Sequence, residues 1–296
     1  MKVVLDLGIL IINVLIMTTV GMALEGRQFR ELGRQKSALA LTLGAQLVFL
    51  PALALMLTRA LALPAHISAG ILLVAACPVG DIANFFTLLA RGEVALSVAT
   101  NTISCLLSVV TMALVFEAYD HLLGAHFAFA VPTATIVLRL TLMVVVPVLA
   151  GMALRRFKPE FAARRARGLR NASIVGLGLL VAYVLAFRWE QVAADWRQTA
   201  FAGALFVMLA MIIGLAMGWR LRLGAGGVVT MGLMFAVRNV GLATVIAITL
   251  LNKVEYAVFA VVYFLTEVPL LLAVVAVYRS RKTPLPAPAA RAAVND

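Results

Sequence analysis

Ala76-Cys77-Pro78-Val79-Gly80-Asp81-Ile82-Ala83-Asn84 interrupts an apolar run that begins with Ile71-Leu72-Leu73-Val74 and resumes with Phe85-Phe86. Pro78 removes a backbone donor and Gly80 is conformationally permissive, so a helix built on this run is expected to break here. A second stretch has the same character. Ala236-Val237-Arg238-Asn239-Val240-Gly241 sets a cation, an amide and a glycine in the middle of another long apolar run.

The chain around these two interruptions has 296 residues, 64% of them hydrophobic and 13% charged, with a mean hydropathy of +1.05. Soluble domains are far more polar. The composition excludes a soluble enzyme and a disordered chain, and Cys77 and Cys105, both inside apolar runs, imply no disulfide scaffold. A membrane-crossing helix needs about 20 mostly apolar residues. Runs of that kind lie near 8–24, 38–58, 67–89, 94–116, 131–154, 171–187, 200–218, 225–251 and 255–278. The expected fold is therefore an all-α membrane protein of nine transmembrane helices. One polytopic domain covers 1–282, and the Pro- and Ala-rich segment 283–296 is expected to be a disordered cytoplasmic tail. Lys2 stands alone before Asp6 and no small-residue cleavage site follows the first run, which is read as a span rather than a signal peptide.

A net charge of +12 and a pI near 10.7 would suggest nucleic acid in a soluble protein. Here the basic residues sort by side. With the N-terminus outside, most of the 25 Lys and Arg fall in cytoplasmic segments. Arg27, Arg30, Arg34 and Lys36 sit in the first loop, and Arg155, Arg156, Lys158, Arg164, Arg165, Arg167 and Arg170 in the fifth. The tail adds Arg279, Arg281, Lys282 and Arg291. This bias predicts an inner-membrane protein with its N-terminus outside and its C-terminus in the cytoplasm, facing lipid and not nucleic acid.

Away from the ends of the runs, only Asp81, Arg139, Arg238 and Glu267 place charge within them, where charge is costly and marks pathways. The third and eighth runs lie an odd number of crossings apart, so they traverse the membrane in opposite directions. Interrupted segments at corresponding places of two inverted halves point to a transporter site. Spans 1–4 then match spans 6–9. At such a crossing, half-helix N-termini attract anions, while unwound carbonyls and half-helix C-termini attract cations.

Ala76 to Asn84, followed by Leu89-Ala90-Arg91-Gly92-Glu93-Val94-Ala95-Leu96-Ser97-Val98, resembles the signature of the bile acid:sodium symporter family. Arg238-Asn239-Val240-Gly241-Leu242-Ala243 resembles that family's second crossover motif, and the resemblance runs from about Gly8 to Tyr278. It is closest to the nine-span bacterial type. The resemblance implies a core domain holding two broken, crossing helices and a panel domain beside it. It also implies secondary transport of bile-acid-like or smaller carboxylates coupled to two sodium ions. Gln46, Asn84, Ser97 and Asn239 stand where the family motif has the same residue, and Asn101 where a threonine ligand is usual. Ala83 replaces a polar residue, Met234 stands where the sodium-binding acid is expected, and Arg238 where a glutamine is expected.

These departures change the physics. Arginine is a permanent cation. At 4 Å and an effective dielectric near 20 it would repel a sodium ion by about 4 kcal/mol, enough to abolish millimolar binding. Arg238 either substitutes for the ion's charge or contacts an anionic substrate directly. Asp81 would oppose an anion, and an Asp81–Arg238 ion pair is the simplest compensation. Asp81 or Glu267 could also carry a proton.

The expected substrate-binding residues are Asp81, Asn84, Arg238, Asn239 and Glu267, with Gln46, Ser97 and Asn101 in ion-site-like positions and no metal centre. The function expected is a secondary carrier of a small organic anion by alternating access, without a cofactor and with Na+ or H+ as the candidate coupling ion. The alternative is a channel or sensor-like membrane protein that keeps the fold without coupled transport. No catalytic motif lies in the spans. Arg139 is read as a snorkelling or panel–core contact. His66, His121 and His126 are read as solvated loop residues, and Trp189, Trp196 and Trp219 as an interfacial belt.

Overall fold

Apolar runs of this length in hydrocarbon must satisfy their backbone internally, and the chain does so as helix. The computed structural model describes residues 2–23, 36–123 and 132–280. Arg27, Arg30, Arg34, His126, Arg281, Lys282, Arg291 and the tail 283–296 lie outside the described residues. In chain order the helices are α1 (Lys2–Ala23), α2 (Lys36–Ala60), α3 (Ala65–Ala76), α4 (Ile82–Leu89), α5 (Val94–Leu123) and α6 (Thr133–Leu140). After the π-helical segment Thr141–Val145 come α7 (Val146–Phe157), α8 (Pro159–Phe187), α9 (Trp189–Arg220), α10 (Ala225–Ala236) and α11 (Val240–Val245). A second π-helical segment, Ile246–Leu250, leads to α12 (Val254–Ser280).

Six stretches among the described residues are long and apolar enough to cross a membrane: Leu39–Ala60, Val94–Leu122, Ala134–Phe157, Gly168–Phe187, Trp189–Arg220 and Val254–Ser280. The remaining apolar helices, Gly8–Ala23, Ala65–Ala76, Ala225–Ala236 and Val240–Leu250, are shorter. The expected runs 67–89 and 225–251 are each two helices because their middles are extended. Cys77 has ψ 153° and Val237 has ψ 117°, values no α-helix continues through.

The two interrupted stretches follow the same pattern. α3 and α10 are both 12 residues long. Each follows a long helix and a turn with a left-handed non-glycine residue, Ala62 (φ 45°) before α3 and Arg222 (φ 54°) before α10. Each then gives way to a break, a shorter helical stretch, a second left-handed residue, Arg91 or Asn252, and a long helix.

α1 packs on α7 and α8. Its approach to α7 is close enough that a Cβ on Gly21 would stand 2.0 Å from the Val148 carbonyl oxygen, and one on Gly151 2.1 Å from that of Thr18. Small residues permit such helix contact in membranes. The rest of the chain packs around the two breaks: α2 and α12 against α3, α9 against α10 and α12, and α11 against α12.

Candidate functional site

Breaking two helices in a buried place leaves donors and carbonyls that must find partners. The two breaks supply one another. Val79 and Arg238 form an antiparallel bridge, in which the Gly80 N–H donates to the Val237 carbonyl at 3.3 Å and the Asn239 N–H to the Pro78 carbonyl at 2.9 Å. Gly80 is required by this approach, since a Cβ there would lie 2.6 Å from the Arg238 carbonyl oxygen. Flanking side chains take the other groups. The Val79 N–H donates to Ser104 Oγ at 3.0 Å, Tyr263 donates its hydroxyl to the Ala236 carbonyl at 2.7 Å, and the Arg238 N–H donates to Glu267 Oε1 at 3.4 Å. Tyr263 and Glu267 are four residues apart on α12 and share a face. Asn239 caps α11 by accepting the Leu242 N–H at 2.9 Å.

The side chain of Arg238 extends to the end of α3, where its Nη2 donates to the Cys77 carbonyl. A helix C-terminus is the electronegative end of the helix dipole and favours a cation. Arg238 is 4% exposed, and its Nε and Nη1 have no protein partner. Glu267 Oε2 and Asn239 Nδ2, equally buried, are also unpartnered. Gln46 Nε2 donates to the Met234 carbonyl at 3.5 Å, one turn before Arg238, and both Gln46 and Arg238 line a cavity of about 30 Å³.

Asp81 belongs to a different network. The expected Asp81–Arg238 ion pair is absent from the described contacts, because Asp81 accepts from Asn101 Nδ2 at 2.6 Å while Arg238 serves Cys77. The bridge explains this. With Val79 and Gly80 paired to the second break, the next residue starts α4 facing α5, and Arg238 faces the end of α3. Asn84 Oδ1 accepts from Ser97 Oγ at 2.7 Å, and Thr87 donates to Ser97 at 3.3 Å, continuing the polar ladder between α4 and α5. Asn101 Oδ1 in turn accepts from the Cys105 thiol at 3.5 Å.

The expected residues therefore gather around one crossing as two sets. Asp81, Asn84, Ser97 and Asn101 form one; Gln46, Arg238, Asn239 and Glu267 form the other. Sequence reasoning missed Tyr263, Ser104 and Thr87, although the helical spacing of Tyr263 from Glu267 and of Ser104 from Asn101 was visible. It also misread His66, which is half-buried with Nε2 2.7 Å from Asp195 Oδ2, tying the start of α3 to α9. Arg139 reaches across to the Thr249 carbonyl at 2.9 Å, at the end of the second π-helical segment.

Residues 10–195 match the Sodium Bile acid symporter family. The match covers the first break and ends before the second. The chain is 32% identical to the uncharacterized sodium-dependent transporter YocS of Bacillus subtilis over 171 residues, 58% of this chain and 52% of that protein. It is 26% identical to the P3 protein of Mus musculus over 165 residues, 55% of this chain and 35% of the relative. It is 25% identical over 165 residues to the probable sodium/metabolite cotransporter BASS1, chloroplastic, of Arabidopsis thaliana, covering 56% of this chain and 40% of that one. The chain spans about half or less of the length of these curated relatives.

Proposed function

The chain belongs to the sodium bile acid symporter family, and from that premise we propose that it is a secondary carrier of a small organic anion in which Arg238 takes the place of a coupling cation. The observation that carries this reading is the guanidinium at the Cys77 carbonyl, with two nitrogens unpartnered in a buried site. A half-helix C-terminus with free carbonyls is where carriers of broken-helix type hold their cations. Here a permanent charge stands there, and Met234 removes the carboxylate that a sodium ion would need. An anion entering the crossing meets unsatisfied donors on Arg238 and on Asn239 Nδ2. These are favourable contacts in a low-dielectric site, since an unpaired buried cation is costly.

The architecture fits alternating access. Counting each interrupted stretch as one crossing and α1 as another gives nine. The shared pattern of turn, 12-residue helix, break and turn in α2–α5 and α9–α12 supports two halves of inverted topology. In this reading α1, α6, α7 and α8 are the panel, and the helices around the breaks are the core that rocks against it. The Arg139–Thr249 contact would then join panel to core. The distribution of Lys and Arg supports an N-terminus outside and a cytoplasmic C-terminus in the inner membrane.

Counterflow in proteoliposomes with a panel of labelled carboxylates tests the proposal, run in sodium and in choline buffers. Saturable, exchangeable flux that persists in choline is expected. Flux that collapses in choline would overturn the role given to Arg238, and its absence for every anion would overturn the carrier reading in favour of a channel or sensor-like protein.

A further inference from the structure

The cavity at Arg238 is not closed on all sides by core residues. It shares Leu47, Pro51 and Val115 with a larger apolar crevice of about 310 Å³ between α2 and α5. The crevice is walled by Val48, Ala52 and Leu55 on one side and by Leu114, Ala118 and Leu122 on the other. Val48, Leu114 and Leu122 are more than half exposed, so no described segment of the chain covers this apolar face, which suits contact with lipid. Its volume lies in the range of small-molecule sites, which begin at about 300 Å³. From Leu47 to Leu55 the helix rises about 12 Å, close to the depth of one leaflet in a hydrocarbon layer about 30 Å thick.

We propose that this crevice is a side-entry binding site for a membrane-dissolved monocarboxylate with a long alkyl chain. The chain would lie between α2 and α5 and the carboxylate would end at Arg238. The inference rests on the carrier reading only in taking Arg238 as the counter-charge of an anion. Two features select this occupant over an ordinary lipid tail. The outer groove is lined by apolar side chains apart from Tyr119, and its inner end reaches a buried guanidinium whose Nε and Nη1 lack partners. A tail without a charged end leaves those donors unsatisfied, and a small hydrophilic anion leaves the groove unfilled. The inner cavity of about 30 Å³ exceeds the 10–15 Å³ or so that one water requires, room enough for a carboxylate group.

Equilibrium binding of tritiated palmitate to the full chain in phosphatidylcholine nanodiscs tests this, with hexadecanol as the uncharged control. Saturable palmitate binding at least ten times tighter than that of hexadecanol is expected, and Ala118→Trp, which fills the groove, should weaken it tenfold or more. Equal binding of acid and alcohol would mean lipid tails alone occupy the groove, and palmitate binding indifferent to Ala118→Trp would place it elsewhere; either overturns the proposal. Should that variant fail to fold, a chain-length series on the unmodified protein decides. Affinity should rise with each added methylene and level off once the chain outgrows the groove, whereas a series without that plateau overturns it. Loss of short-carboxylate exchange with palmitate binding intact would sink the carrier reading and leave the groove. The reverse would sink the groove alone.

Discussion

The guanidinium of Arg238 is hydrogen-bonded to the main-chain carbonyl of Cys77, although the two residues belong to different interrupted helices. The contact puts a fixed positive charge at the C-terminal end of a half-helix, in a site that also holds the Gln46 side chain. It also leaves Asp81 to another partner, Asn101.

If Arg238 stands in for a coupling ion, exchanging it and Met234 for the residues that the family resemblance leads one to expect should restore the ion. The double variant Met234→Glu/Arg238→Gln is expected to transport in sodium and to lose at least tenfold of its rate in choline, while the unmodified chain shows little difference. Parallel uptake assays in the two buffers check this. Arg238→Gln alone should abolish saturable uptake in both.

Asp81 is held by Asn101 at 2.6 Å and not by Arg238, so removing its charge should spare the protein. Asp81→Asn keeps an oxygen that can accept from Asn101 and is expected to change stability by under about 1 kcal/mol. Anion affinity should stay level or rise, because a negative charge has been taken from the crossing. Thermal unfolding in detergent and a KM for uptake measure both. A large fall in affinity would mean that Asp81 contacts the substrate as a hydrogen-bond partner.

The crossing depends on a bare Cα at Gly80. Gly80→Ala would set a Cβ 2.6 Å from the Arg238 carbonyl oxygen, against backbone that cannot yield cheaply. A destabilisation of about 1–3 kcal/mol is expected from such overpacking, with loss of transport. Gly178→Ala is the control, as its Cβ would meet nothing within 4 Å, and it should stay within about 0.5 kcal/mol of the original protein. Thermal unfolding of the two variants side by side reads the contrast.

Tyr263 serves the second break through its hydroxyl, which donates to the Ala236 carbonyl at 2.7 Å. Tyr263→Phe preserves the ring and leaves that carbonyl unsatisfied, costing about 1–3 kcal/mol. The protein should unfold at a lower temperature while keeping its anion selectivity, since the residue supports the break and carries no charge to the substrate. Competition between carboxylates in the uptake assay would expose any change in selectivity.

Composition alone determined the class of this protein, because 64% apolar residues in runs of membrane length admit few other solutions. The sequence also marked both interruptions, by Pro78 and Gly80 in one and by Arg238, Asn239 and Gly241 in the other, since these residues act locally on the backbone. The charge of Arg238 inside an apolar run was likewise legible, because a residue's charge does not depend on its neighbours. Pairing was decided elsewhere. Asp81 and Arg238 looked like natural partners by charge, yet hydrogen-bond geometry at the bridge gives Asp81 to Asn101 and Arg238 to Cys77. His66 found Asp195, far away in sequence, only once α3 and α9 were packed. The crevice between α2 and α5 exists only as the space two helices leave between them. Local chemistry can be read from the order of residues; which polar group satisfies which, and where a cavity opens, follows from the packing that brings distant segments within hydrogen-bond reach.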